Sequence, residues 1–162
     1  MQRKLGLTAV LVVALAVAGY AQKPDFSGVW TPDASAAAPT GGGGGGGGRG
    51  MAPGPMTVTH KGDTLSIERT MGDNKVSSTY KLDGTESVNK MVGRGGEVET
   101  KSTAKWDGAK LTITTKQAAP DGTVRESTQT WSLEGGNLVI DSTRTGREGT
   151  PVTAKVTYKK TT

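Results

Sequence analysis

The sequence predicts an all-β protein. Its expected form is an antiparallel up-and-down meander of about eight to ten strands that curls into a small barrel, with a two-sheet β-sandwich as the alternative. Three observations predict it. From Met56 onward, short segments such as TLSIERT and KLTITTK alternate apolar with polar residues, and no helical apolar spacing appears after residue 21. Turn signals built on glycine (KGD, two Asp-Gly pairs and EGG) stand between those segments. The aromatics Tyr80, Trp106, Trp131 and Tyr158 recur at spacings of 26, 25 and 27 residues, the length of two strands with their connections.

Taken in order, residues 1–21 have the layout of a signal peptide. Arg3 and Lys4 precede an apolar stretch from Leu5 to Ala18, and Gly19 and Ala21 occupy the minus-three and minus-one positions for cleavage after Ala21. The apolar stretch is short for a membrane span of roughly 20 residues, so a secreted or periplasmic chain with no transmembrane span after cleavage is expected. There is no cysteine, hence no disulfide framework and no lipid attached through one. Residues 22–33 hold the first strand segment, FSGVW. Residues 34–55 form a Gly/Ala/Pro-rich stretch with eight consecutive glycines, Gly41–Gly48, whose composition buries too little apolar surface to offset its ordering entropy. It is expected to be a flexible loop.

Residues 56–162 complete a single domain with 22–33. MTVTH turns at KGD into TLSIERT, with Leu65 and Ile67 on one face. KVSSTYKL turns at Asp83-Gly84 into ESVNKM. EVETKSTAKW turns at Asp107-Gly108 into KLTITTK, TVRESTQTWSL turns through Glu134-Gly135-Gly136 into NLVIDSTR, and VTAKVTYKK closes the chain. In a meander every second strand runs the same way, so the four aromatics gather at the end with the tight turns. Toward the other end the inward face becomes small or polar: Ser78, Thr100, Ser102, Arg125, Ser127 and Gln129. A closed aromatic base below a narrow polar interior is the layout of a small ligand-holding barrel.

Gly28-Val29-Trp30 on the first strand, followed by such a meander, resembles the lipocalin and calycin superfamily. DFSGVW after a signal peptide, with AKWDGAKLTIT and QTWSLEGGNLVI, is similar to small secreted lipocalin-like proteins of bacteria. The resemblance implies that Trp30 packs at the closed base under a basic side chain from the C-terminal part, with Arg144, Arg147 and Lys159 as the options. In the fatty-acid-binding relatives a lid lies between the first two strands, the place of the glycine tract here.

Other chemistry finds little support. The glycine tract lacks the Gly-Lys-Ser/Thr ending and the following helix of a phosphate loop. With 20 basic residues less Arg3 and Lys4, against 15 acidic ones, the exported chain carries +3, too mild for a nucleic-acid groove. His60 is the only histidine, beside a turn with no nucleophile near it in sequence, and reads as a surface residue. No metal site and no cofactor are expected. Glu97 and Glu99 lie on the outer face of their strand and read as solubility rather than a glycosidase pair.

The expected role is non-enzymatic binding of a small apolar or amphipathic molecule. Arg125 and Gln129 would lie toward the mouth, and Trp106, Trp131, Tyr80 and Tyr158 at the base, either as core or touching the ligand. Arg125 has two readings, an inward anchor for a carboxylate or phosphate and a side chain in water. An envelope interaction module with a solid core is the alternative role, and an unrecognised hydrolase the third. The oligomeric state stays open.

Overall fold

Ten strands follow one another along the chain: β1 (Gly28–Pro32), β2 (Met56–Lys61), β3 (Thr64–Met71), β4 (Asn74–Lys81), β5 (Glu86–Gly93), β6 (Gly96–Asp107), β7 (Lys110–Ala118), β8 (Val124–Glu134), β9 (Asn137–Thr145) and β10 (Pro151–Thr161). They belong to a computed structural model that describes residues 23–33, 54–71, 74–93, 96–118, 122–145 and 149–161. Residues 1–21, expected to be a signal peptide, and the glycine run lie outside the described residues.

Every ladder is antiparallel, and the order is β4-β3-β2-β1-β10-β9-β8-β7-β6-β5. Neighbours in sequence are neighbours in space, save that β1 also pairs with β10. The edges of the sheet are therefore β4 and β5, which are consecutive in the chain, and bringing them together makes a nearly closed barrel rather than a sandwich. Closure removes the exposed edges that a flat sheet would offer to other chains.

Among the described residues, three hairpins turn through two-residue loops: Gly62-Asp63, Gly108-Ala109 and Gly135-Gly136. Asp107 pairs with Lys110, so the Asp-Gly signal is right in place but one residue out in register. Gly108, not Asp107, opens the loop, at φ +59°. That left-handed conformation is the one glycine adopts without a steric penalty, which is why the glycine defines the loop's first position.

The seam between β4 and β5 carries no ladder among the described residues; side chains bridge it instead. Asn89 accepts from the Thr79 amide through Oδ1 (2.7 Å) and donates from Nδ2 to the Thr79 carbonyl (3.1 Å). The Ser87 hydroxyl accepts from the Lys81 amide at 2.8 Å. Both side chains are buried while Val88 between them is half exposed to solvent. An asparagine amide has the donor and acceptor of a peptide group, so Asn89 stands in for one ladder residue.

The register stacks the inward side chains in rows. One near the tight turns, Trp106–Leu111–Trp131–Ile140–Val156, crosses five strands and is wholly apolar. Phe26, just before β1, plugs it from below. Its ring is fully buried, parallel to Trp106 at 5.7 Å and edge-on to Trp131 at 5.8 Å. Each such pair contributes about 0.5–1.5 kcal/mol beyond the area it buries.

Candidate ligand-binding site

Above that floor the rows change character. The next, Ala104–Ile113–Gln129–Ser142–Ala154, is mixed, and the one after, Ser102–Thr115–Ser127–Arg144–Val152, is mostly polar. Within it Ser102 Oγ and Thr115 Oγ1 are 2.9 Å apart, and one row further Thr100 Oγ1 donates to the Asn89 carbonyl at 3.2 Å. Thr115, Ser127, Gln129, Ser142 and Ala154 face inward yet are only half-buried. Small side chains on a barrel wall leave the upper interior accessible.

One inward residue breaks the pattern. Arg69 lies opposite Met56 on β2 and shares the face of Leu65 and Ile67. Its Nη2 approaches the sulfur of buried Met56 at 3.5 Å. Its Nε is buried with no hydrogen-bond partner among the described residues. A buried donor left unmade costs about 1–3 kcal/mol, so this guanidinium is held at a disadvantage in the protein as it stands. Burial pushes the pKa of the Tyr158 phenol up, and Arg69 nearby pulls it the other way. The alternation of TLSIERT carries the signal for Arg69, since it sits two residues beyond Ile67 on the core face; sequence reasoning stopped at Ile67.

The predicted residues divide between floor and mouth. Trp131 and Tyr158 are buried in the core, and Tyr80 and Trp106 pack against it. Trp106 and Trp131 come together around Phe26, while Tyr80 lies opposite Leu65 and Tyr158 opposite Leu138. Gln129 accepts from Trp131 Nε1 at 3.2 Å, so it is tied to the floor beneath it. Arg125 has the parity of Gln129 and Ser127 but is exposed, opposite Gln117. Arg144 is exposed on β9, opposite Ser127.

The base differs from expectation at two points. Trp30 is buried, donates Nε1 to the Phe26 carbonyl at 2.8 Å, and carries a basic side chain over its ring, but that side chain is Lys160, at 5.6 Å. Neither Arg144 nor Lys159 plays that part. Lys159 has the opposite parity and pairs with Asp33 at 2.8 Å, and Arg147 lies outside the described residues. Gly28 makes the contact possible, because a Cβ there would stand 2.5 Å from Lys160 Cε.

His60, read as a surface residue, is largely buried. Phe26 folds over it, Trp106 stacks at 5.9 Å, and its Nδ1 lies 3.6 Å from Asp25. Ser27 Oγ accepts from the His60 amide at 3.0 Å and donates to its carbonyl at 3.3 Å, extending the β1–β2 ladder with a hydroxyl. No cluster of three or more His, Cys, Asp or Glu able to hold a metal occurs among the described residues.

A cleft of about 320 Å³ lies elsewhere, lined by Glu86, Lys101, Lys105, Thr114, Lys116 and Glu126. Those residues alternate with the core residues of β5–β8, so the cleft is a groove in the outer face. Ion pairs Lys101–Glu86 and Lys116–Glu126, both 3.7 Å and solvent-exposed, flank it. It is a charged, solvated surface and not the barrel's interior.

No protein-family model matches the chain, and no curated protein matches it. Among solved structures, human cRBP IV superposes with a TM-score of 0.54 at 18% identity, over 85% of this chain and 99% of that one. A zebrafish ileal bile acid-binding protein complexed with cholic acid gives 0.49 at 27% identity, over 66% of this chain and 72% of that one. Caenorhabditis elegans lipid binding protein 8 gives 0.49 at 15%, over 66% and 70%. The likeness to human cRBP IV carries the fold and nothing finer: among the described residues this is a nearly closed, ten-stranded antiparallel up-and-down barrel. The likeness reaches the barrel expected from Gly28 and Trp30 and does not reach the bacterial lipocalin-like part of that resemblance.

Proposed function

We propose that this is an exported, non-enzymatic binding protein, of the kind found among small bacterial lipocalin-like proteins, whose barrel takes up a small apolar or amphipathic molecule. The observation that carries the reading is the half-buried inward wall of Ser127, Gln129, Ser142 and Ala154 above a solid aromatic floor. Side chains of that size do not fill a barrel, and concave space with an apolar floor and a few polar wall groups is the usual setting of a small-molecule site. The fold shared with human cRBP IV supports the same reading by analogy.

The test is a titration of the exported protein with dodecanoate and with dodecanol, followed by tryptophan fluorescence, since Trp106 and Trp131 lie in the floor. Saturable one-to-one binding of either is expected. Native mass spectrometry of the protein taken directly from its source is expected to retain a small molecule. If neither probe binds and nothing is retained, the binding reading falls and the envelope interaction module takes its place. Export is checked by cell fractionation and by an N-terminus at Gln22.

A further inference from the structure

Asp83, Asp107 and Asp121 each precede a glycine, and no asparagine does. Asp-Gly is the dipeptide most open to backbone rearrangement, because glycine has no Cβ to shield its nitrogen from the neighbouring carboxyl carbon. Asp121 lies outside the described residues. Asp83 and Asp107 stand at tight turns and are both exposed, so access to water does not separate them. Their surroundings do.

At Asp83 the side chain is tied down. Its Oδ1 accepts from the Thr85 amide at 2.8 Å and from the Thr85 hydroxyl at 2.6 Å. Both bonds favour the ionised carboxylate and lower its pKa, the hydroxyl more than the amide. They also fix the side chain on residue 85 rather than on Gly84, the geometry of an Asx turn. Gly84 is itself covered, since a Cβ there would stand 3.0 Å from Lys105 Cε. At Asp107 none of this holds. Among the described residues its carboxylate joins no hydrogen bond or ion pair. Gly108 is exposed, and a Cβ built on it would meet nothing within 4 Å.

We propose that Asp107 is a site of spontaneous modification, converting to isoaspartate through its carboxyl group and the Gly108 nitrogen, and that Thr85 protects Asp83 from the same change. The reaction needs only the chain and water, and nothing is oxidised or reduced. The Gly108 nitrogen bonds to Cγ of the protonated Asp107 carboxyl. The carboxyl hydroxyl leaves with the amide proton as water, which closes a succinimide. Water then opens the ring at one of its two carbonyl carbons. Attack at Cγ restores aspartate. Attack at the old backbone carbon leaves the main chain running through Cβ and Cγ, one carbon longer, with a free carboxylate beside it. Asp107 closes the β6–β7 hairpin opposite Lys110, and the next pair, Trp106 with Leu111, belongs to the aromatic floor. Loop length sets the register of a hairpin, so the added carbon disturbs the ladder beside the floor as well as the turn.

The test is storage of the purified protein at pH 7 and 37 °C followed by tryptic mapping. The two sites fall in separate peptides, Leu82–Lys90 and Trp106–Lys110, and isoaspartyl peptides separate by chromatography from aspartyl ones of equal mass. Isoaspartate is expected to build up at Asp107 roughly tenfold faster than at Asp83, or more. Thr85→Ala is expected to speed the change at Asp83 several-fold and leave Asp107 as it was, while Thr85→Ser, which keeps the hydroxyl, behaves as the parent. Asp107→Glu is expected to abolish the modification, because its side chain does not close a five-membered ring. Amide exchange at Lys110 and Leu111 is expected to be faster in the isomerised fraction than in fresh protein. Equal rates at the two aspartates, or a faster rate at Asp83, overturn the proposal. So does an Asp107 that stays intact while an unfolded peptide of the same sequence converts. An unchanged rate at Asp83 in Thr85→Ala overturns the protective role of Thr85. None of these readouts involves a ligand, so the proposal is decided separately from the binding reading.

Discussion

The two ends of the barrel are built from different residues and hold together differently. At the base, Phe26, Trp30, Trp106 and Trp131 interlock through ring contacts, a buried indole hydrogen bond and two lysines laid over indole faces. Toward the mouth the same strands present serines, threonines, a glutamine and arginines. Phe26, Trp106 and Trp131 meet there in one layer of rings. The contrast teaches where stability and function are separated: the floor holds the barrel closed, so the wall above it is free of that duty and can be chosen for what it binds.

Substitutions that bear on this contrast can be ranked by expected effect. Trp131→Ala or Phe26→Ala should lower stability by about 3–5 kcal/mol in urea unfolding, the range for emptying a buried aromatic site. Ser127→Ala and Ser142→Ala should stay within about 0.5 kcal/mol of the parent. An upper-wall alanine that costs as much as a floor alanine would break the contrast outright.

Asn89→Ala should cost about 1–3 kcal/mol, because the Thr79 amide and carbonyl lose their partner together. Amide exchange at Thr79 should quicken while that of the floor strands changes little. Gly28→Ala is expected to cost about 1–3 kcal/mol, since φ at Gly28 is +148° and the new methyl meets the Lys160 stem. Its signature in NMR is loss of the upfield ring-current shift on the Lys160 methylenes.

The smallest effects follow pH. Burial raises the folded-state pKa of Tyr158 above that of a free phenol, so the folded chain keeps a proton that the unfolded chain releases from about pH 10 upward. Stability should therefore fall as pH rises from there through the folded-state value, and Tyr158→Phe should flatten the decline. In acid the sign reverses. Hydrogen bonds from Ser27, with His60 a lesser contributor, lower the pKa of Asp25. Its contribution is present above the ordinary carboxylate range and fades as pH drops below about 4, weakly, because Asp25 is solvent-exposed.

Much of the architecture was legible in the sequence, and for physical reasons. Alternation and glycine turns are local, so ten strands could be placed, and the 26-residue recurrence of Tyr80, Trp106 and Trp131 located the base. What escaped depends on contacts between distant segments. Phe26 looks like one more strand residue until the chain before β1 is seen to cross beneath the floor, and that crossing is what buries His60. Lys159 and Lys160 are indistinguishable in composition; only the register Trp30↔Lys160 chooses between them. The β4–β5 seam follows an ordinary turn signal, and nothing local tells that Asn89 bridges it with a side chain. Arg69 was within reach, because the parity that placed Leu65 and Ile67 in the core places it there as well.

The pairing of β1 with β10 sets a timetable for assembly. Trp30 meets its cation and its ladder partner only when Lys160, on β10, is available. A growing polypeptide therefore cannot complete the barrel until β10 has been made, whatever its earlier hairpins have done. The joining of β1 to β10 thus works as a delay, keeping the barrel open until its tenth strand arrives.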